Sequence, residues 1–165
     1  MKKAYLGVDV GSVSTNLVVL DESNEVVAAE YLRTSGQPIV TVQQGLYSIG
    51  QKLKGQVEII GAGTTGSARY LSSMIIGADI VKNEITAHAI AASEVVPGVN
   101  TIIEIGGQDS KIIILREGVV TDFAMNTVCA AGTGSFLDQQ ASRLTIDIED
   151  FGNLALQAKN PVRIA

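Results

Sequence analysis

The sequence predicts an α/β fold. Short aliphatic and β-branched segments recur between glycine-containing or polar joints, as strands require, and two longer stretches repeat apolar residues at spacings of three and four, as helices require. The chain of 165 residues is 46% hydrophobic with 4% aromatic residues and no tryptophan, so its core must come from Val, Ile, Leu and Ala. Such a core suits helices layered on a sheet.

Residues 4–10, 16–20 and 26–32 carry the first aliphatic runs, with Gly11-Ser12 and Asp21-Glu22-Ser23-Asn24 between them; three consecutive antiparallel strands are expected. Ile39, Val42, Leu46, Ile49 and Leu53 fall on one stripe of a helix that starts just after Pro38 and covers a sheet face. Val57-Glu58-Ile59-Ile60 reads as a strand running into a loop, Gly61-Ala62-Gly63-Thr64-Thr65-Gly66, and residues 78–81 as a further strand. A second helix places Ile85, Ala89, Ala92 and Val96 on one stripe and stops before Pro97-Gly98. The hairpin theme then starts again, with strands at 101–105, 110–115 and 119–125 and a Glu117-Gly118 turn. Helices at 133–144 and 148–158 follow. The expectation is one lobe over residues 1–98 and an incomplete second, related lobe over 99–165, as if the chain were cut short.

Twelve Lys and Arg against 17 Asp and Glu give a net charge of -5, and no segment gathers the basic residues into a stripe that could neutralise a run of phosphates. No nucleic-acid partner is expected. The N-terminal lysines meet Asp9 too soon for a signal-peptide apolar region, and no run is long enough to span a bilayer, so no membrane partner and a cytoplasmic location are expected. A single cysteine, Cys129, excludes an internal disulfide framework.

Two segments carry the chemistry. Gly7-Val8-Asp9-Val10-Gly11-Ser12-Val13-Ser14-Thr15-Asn16 is a strand ending near a carboxylate, then a glycine and hydroxyl turn, then a second strand. Gly11 lets backbone amides approach an oxyanion, Ser12, Ser14 and Thr15 offer hydroxyls, and Asp9 can hold Mg²⁺ through water. An ordinary hairpin with Ser and Gly in its turn explains the same string. Ile102-Ile103-Glu104-Ile105-Gly106-Gly107-Gln108-Asp109-Ser110-Lys111 repeats the pattern, with phosphate contact at Gly106 and Gly107, water orientation by Gln108 and metal or water contact by Asp109. Two such turns together could clamp a triphosphate and its metal, which is what phosphoryl transfer needs. Lys111 reads either as a cofactor-binding cation or as a solvated side chain.

Glu84 opens the second helix with His88 one turn on; it is a candidate to polarise an attacking water, or a first-turn Glu beside a packed His. Gly63-Thr64-Thr65-Gly66 with Arg69 either lines the same cleft or is a plain strand-to-helix turn. Cys129 reads as a buried small hydrophobe or, with Gly132-Thr133-Gly134-Ser135 opening a helix behind it, as a thiolate ligand.

Asp9-Val10-Gly11-Ser12 and Ile105-Gly106-Gly107-Gln108-Asp109-Ser110-Lys111 resemble the phosphate-1 and phosphate-2 motifs of the actin, hexokinase and acetate kinase superfamily. With Asn83-Glu84-Ile85-Thr86-Ala87-His88-Ala89 and Cys129-Ala130-Ala131-Gly132-Thr133-Gly134-Ser135-Phe136, they resemble one branch of it, the activator ATPases of 2-hydroxyacyl-CoA dehydratases and benzoyl-CoA reductases. The resemblance implies a ribonuclease H-like mixed sheet with flanking helices, an ATP/ADP and Mg²⁺ site including Gly132 and Gly134, and catalytic roles for Asp109, Gln108 and Glu84. It also implies a homodimer bridged by one [4Fe–4S] cluster with Cys129 among its ligands. Ferredoxin or flavodoxin would supply the electrons and a dehydratase component would receive them. No second cysteine is present, so the chain departs from the family's ligand set. A small-molecule kinase on the same scaffold and a nucleotide-binding module without turnover remain as alternatives.

Overall fold

A computed structural model describes residues 1–126 and 133–162. Strand β1 (Lys2–Val10), β2 (Ser14–Asp21) and β3 (Val26–Arg33) are followed by helix α1 (Pro38–Lys52), β4 (Val57–Thr65), α2 (Arg69–Ile76), β5 (Ile80–Val81) and α3 (Glu84–Val95). Then come β6 (Thr101–Ile105), β7 (Ser110–Arg116), β8 (Val119–Met125), α4 (Gly134–Arg143) and α5 (Ile148–Leu156). Two compact units are formed, one of Met1–Ile102 with Ile112–Ala124, the other of Ile103–Lys111 with Met125–Ala165.

The first unit holds a five-stranded sheet in the order β3-β2-β1-β4-β5, where β1, β2 and β3 pair antiparallel and β1, β4 and β5 pair parallel. This is the mixed sheet with flanking helices that the resemblance implies. Strand alternation puts Ala4, Val8 and Val10 of β1 and Leu17 and Val19 of β2 on one face, where they meet Val42, Ile49 and Leu53 on and just past α1. A Cβ on Gly45 would stand 2.4 Å from Leu17 Cδ1, so glycine lets α1 lie close to the sheet. Ala68, Ile75 and Ile76 bring the α2 region onto the same cluster.

Two expectations are corrected here. Residues 61–65 belong to β4 rather than to a loop, and α2 was not foreseen. The glycines serve close packing: a Cβ on Gly61 would meet the Tyr5 ring at 3.1 Å, and one on Gly63 would meet Ile80 at the same distance. The register of β4 on β1 shifts between Ala4 and Tyr5, where Ile60 is the extra residue. That bulge aims Thr65 to the same face as its partner Asp9.

A second sheet has the order β6-β7-β8. β7 and β8 are joined through Glu117 and Gly118, both at positive φ (52° and 75°), the handedness a two-residue hairpin needs. Ile113 and Leu115 of β7 are buried with Ala89 of α3, and Ile85, Ile102 and Val120 pack around them. Asn83 caps α3, its side chain accepting the Thr86 N–H at 2.8 Å. Asn83→Ala is expected to lower stability by about 1 kcal/mol, read as a lower midpoint in urea unfolding with an unchanged slope.

Candidate functional site

In the first unit the turn after β1 is closed by the Gly11 N–H, which donates to the Ser14 carbonyl at 2.8 Å. The Gly11 amide is therefore engaged. Among the described residues the amides of Ser12 and Val13 have no backbone hydrogen bond, and Ser12 is exposed. The two faces of β2 divide the hydroxyls. Ser14 lies beside Asn16, which donates to Ser14 Oγ at 3.4 Å and to Asp9 Oδ2 at 3.3 Å. Thr15 points the other way and is fully buried, its hydroxyl 3.0 Å from that of Thr34. Since Thr34 spends its proton on the Gly11 carbonyl, Thr15 donates to Thr34. Thr15 thus braces the turn from behind, where a phosphate contact had been expected.

The β4–α2 turn closes on the same carboxylate. Gly66 has φ +86°, and a Cβ there would lie 2.4 Å from Asp9 Oδ1 and 2.5 Å from the Val10 carbonyl oxygen. The Ala68 N–H and the Ser67 hydroxyl both donate to that Val10 carbonyl, at 3.0 and 3.3 Å. Arg69 donates to the Gly66 carbonyl at 3.0 Å, stacks over Tyr70 with its ring centre at 5.0 Å, and approaches Glu84 at 3.8 Å. Asp9, Gly66, Arg69 and Glu84 are thereby linked through one turn. Thr65, paired with Asp9 across the strands, carries a buried hydroxyl with no hydrogen-bond partner among the described residues.

In the second unit the Gly106 N–H donates to the Asp109 carbonyl at 2.8 Å, closing the turn between β6 and β7. The start of α4 docks on this turn. The Gly134 N–H donates to the Gly106 carbonyl at 2.9 Å and the Ser135 N–H to the Gly107 carbonyl at 3.0 Å, with Thr133 Oγ1 donating to that same carbonyl at 3.0 Å. A Cβ on Gly134 would sit 3.1 Å from the Gly106 carbonyl oxygen, so glycine lets the helix come this close. Because each peptide is planar and trans, carbonyls aimed at α4 turn the N–H groups of Gly107 and Gln108 away from it. Those amides have no backbone partner among the described residues, and Gln108 is exposed at the tip. Next to them Ser110 has a buried hydroxyl with no partner among the described residues.

Lys111 is not solvated, which corrects that reading. Its side chain is 4% exposed and its ammonium donates to Glu104 Oε2 and Asp109 Oδ1, both at 2.9 Å. Burial pushes its pKa down, but hydrogen bonds to Asp109 and Glu104 and the charges of both outweigh that, leaving it above the ordinary lysine value. Glu104 escaped the sequence reading. The signal was available: Gly106 N–H to Asp109 O and Leu115 N–H to Asn100 O belong to one antiparallel register, in which Glu104 stands directly opposite Lys111.

A polyanion fits what each unit offers: outward amides, a nearby carboxylate suited to a hydrated Mg²⁺, and a buried hydroxyl lacking a partner. Among the described residues no group of three His, Cys, Asp or Glu gathers to hold a metal directly. Cys129 and Gly132 lie outside the described residues. Among those described, no helix is long and apolar enough to cross a membrane. An open groove of about 490 Å³ runs between Tyr5, Val18, Ile60 and Ile80, and Gly7 and Gly63 of the segments singled out from the sequence also line it.

The model of the BadF/BadG/BcrA/BcrD ATPase family matches residues 6–165. The chain is 37% identical over 164 residues to the (R)-2-hydroxyglutaryl-CoA dehydratase activating ATPase of Acidaminococcus fermentans, covering 97% of this chain and 60% of that protein. It is 36% identical over 164 residues to the activator of lactoyl-CoA dehydratase of Anaerotignum propionicum, covering 97% and 61%. The solved structure of the activator of the 2-hydroxyisocaproyl-CoA dehydratase from Clostridium difficile with bound ADPNP superposes with a TM-score of 0.81 at 31% identity, covering 98% of this chain and 60% of that one. The chain thus spans about 60% of the length of the curated relatives it matches.

Proposed function

The chain belongs to the BadF/BadG/BcrA/BcrD ATPase family, and on that footing we propose that it carries the nucleotide-phosphate machinery of an ATP-hydrolysing activator of a 2-hydroxyacyl-CoA dehydratase. The observation that carries the proposal is the docking of α4 on the Gly106-Gly107 carbonyls, which turns the next two amides outward beside Asp109. Binding of ADPNP by a relative of the same fold supports it.

In this reading the Ser12 and Val13 amides with Ser14 receive phosphate oxygens in the first unit, and the Gly107 and Gln108 amides receive them in the second. Asp9 in the first unit and Asp109 in the second are each assigned to hold a water bound to Mg²⁺. Gln108 orients the attacking water and Glu84 polarises it, its carboxylate steadied by Arg69. The metal, when bound, neutralises charge on the transferring phosphoryl group. The proposed functional lobes are residues 1–98 and 99–165, a division that differs from the compact units, where residues 99–102 and 112–124 go with the first.

For the whole protein the proposal extends to a cytoplasmic homodimer that couples hydrolysis to low-potential electron transfer from ferredoxin or flavodoxin to the dehydratase component. The residues present do not by themselves fit a bridging [4Fe–4S] cluster: such a cluster takes four ligands, and this chain has one cysteine.

Phosphate release by the full-length protein, compared with Asp109→Ala, tests the proposal. A fall of at least about tenfold in kcat is expected when the carboxylate is removed. Release at the parent rate from Asp109→Ala would remove the assigned role, and no nucleotide-dependent release from the parent would remove the ATPase reading.

A further inference from the structure

We propose that Glu104 and Lys111 form a positioning pair that fixes the Asp109 carboxylate at the mouth of the β6–β7 turn, so that Lys111 acts through Asp109 rather than on phosphate. The inference rests on the role proposed above for Asp109 and deepens it. Three observations carry it. Lys111 Nζ bridges Glu104 Oε2 and Asp109 Oδ1 at 2.9 Å each, while its side chain is 4% exposed. A buried ammonium spanning two carboxylates has little reach left for a ligand, since a lysine carries three donors in all and two are committed. The third observation concerns Gly106: a Cβ there would stand 2.8 Å from Asp109 Oδ1 and 3.1 Å from Glu104 Oε1, so the absent side chain is what lets both carboxylates converge.

The charges explain why two acids are needed. A buried ammonium paired only with Asp109 would pull that carboxylate inward and neutralise it, leaving little negative charge for a hydrated cation. Glu104 supplies the second charge from the opposite strand and is the more covered of the two acids, at 19% exposure against 42% for Asp109. Glu104 therefore anchors the ammonium, and the ammonium anchors one oxygen of Asp109. The outer acid keeps its charge and its second oxygen for work at the turn. Ser110, Thr133 and Gly134 pack near the same turn without adding a charge.

The experiment uses the full-length protein and the variants Lys111→Met and Glu104→Gln, read in two ways. Three-bond couplings of the Asp109 side chain, measured by NMR, are expected to report one rotamer in the parent and averaging over rotamers in Lys111→Met. Phosphate release from Lys111→Met is expected to fall at least about tenfold in kcat while the nucleotide KM changes less than about threefold. Glu104→Gln, which keeps the ammonium but loosens its anchor, is expected to shift both readouts in the same sense and by less.

A single Asp109 rotamer retained in Lys111→Met overturns the proposal. So does a KM that rises as far as kcat falls, because that marks Lys111 as a direct nucleotide contact. If Lys111→Met does not fold, Glu104→Gln decides alone: parent rotamers and parent kcat in that variant overturn the pair. The rotamer measurement needs no turnover, so a parent without phosphate release would end the ATPase reading while leaving the positioning pair decided on its own evidence.

Discussion

Replacing Gly66 by alanine is expected to destabilise the first unit by about 2–5 kcal/mol, enough to unfold a protein of ordinary marginal stability. Two costs combine. At φ +86° an L-residue pays about 1–2 kcal/mol of backbone strain. The new methyl would also stand 2.4 Å from Asp9 Oδ1 and 2.5 Å from the Val10 carbonyl oxygen, and the second of these is backbone that cannot rotate aside. The β4–α2 turn would have to lift off β1, breaking the bonds from Ala68 and Ser67 to Val10. Gly50→Ala is the control. Gly50 is exposed in α1 with nothing within 4 Å of an added methyl, so alanine there should be neutral or stabilising by up to about 1 kcal/mol. Denaturant midpoints of the two variants decide the matter, and equal midpoints would mean that the turn is not seated on Asp9 as described.

Lys111→Met is expected to cost about 2–4 kcal/mol near neutral pH. The full range for breaking a buried pair is discounted because Asp109 is 42% exposed and water screens its share. The pH dependence gives a sharper signature. The folded-state pKa of Lys111 is raised above its ordinary value, so the folded protein holds this proton more tightly than the unfolded chain does. The resulting stability is complete below the unfolded lysine pKa, about 10.4, and is lost as pH rises through the folded value. The parent should therefore lose stability on the alkaline side of about pH 10, and Lys111→Met should lack that component of the slope. Parallel alkaline slopes in the two proteins would show that the ammonium is not held as described.

Much of this was legible in the linear order of residues, and the parts that were not share a cause. Periodicity located β1, β2 and β3, placed α1 after Pro38, and placed α3 between Asn83 and Pro97, because those signals repeat within a few residues. Both turns were legible as turns because glycine beside hydroxyls or carboxylates is a local pattern. By contrast, Gly61 and Gly63 looked like loop residues until Tyr5 and Ile80 were found lying over them. Thr15 looked like a phosphate hydroxyl until Thr34, nineteen residues away, was found accepting its proton. Lys111 looked exposable until the β6–β7 register set Glu104 against it.

The linear order of residues was enough for the family, for most of the succession of strands and helices, and for the kinds of groups at each turn, since these depend on composition and near-neighbour spacing. Which of those groups remain available was settled by packing over longer range. A bulge at Ile60 brings Thr65 level with Asp9, and the start of α4 consumes two carbonyls and so turns two amides outward. Each hydrogen-bonding group of this kind is committed or released by a partner distant in sequence, and that assignment exists only once strand register and helix docking are fixed.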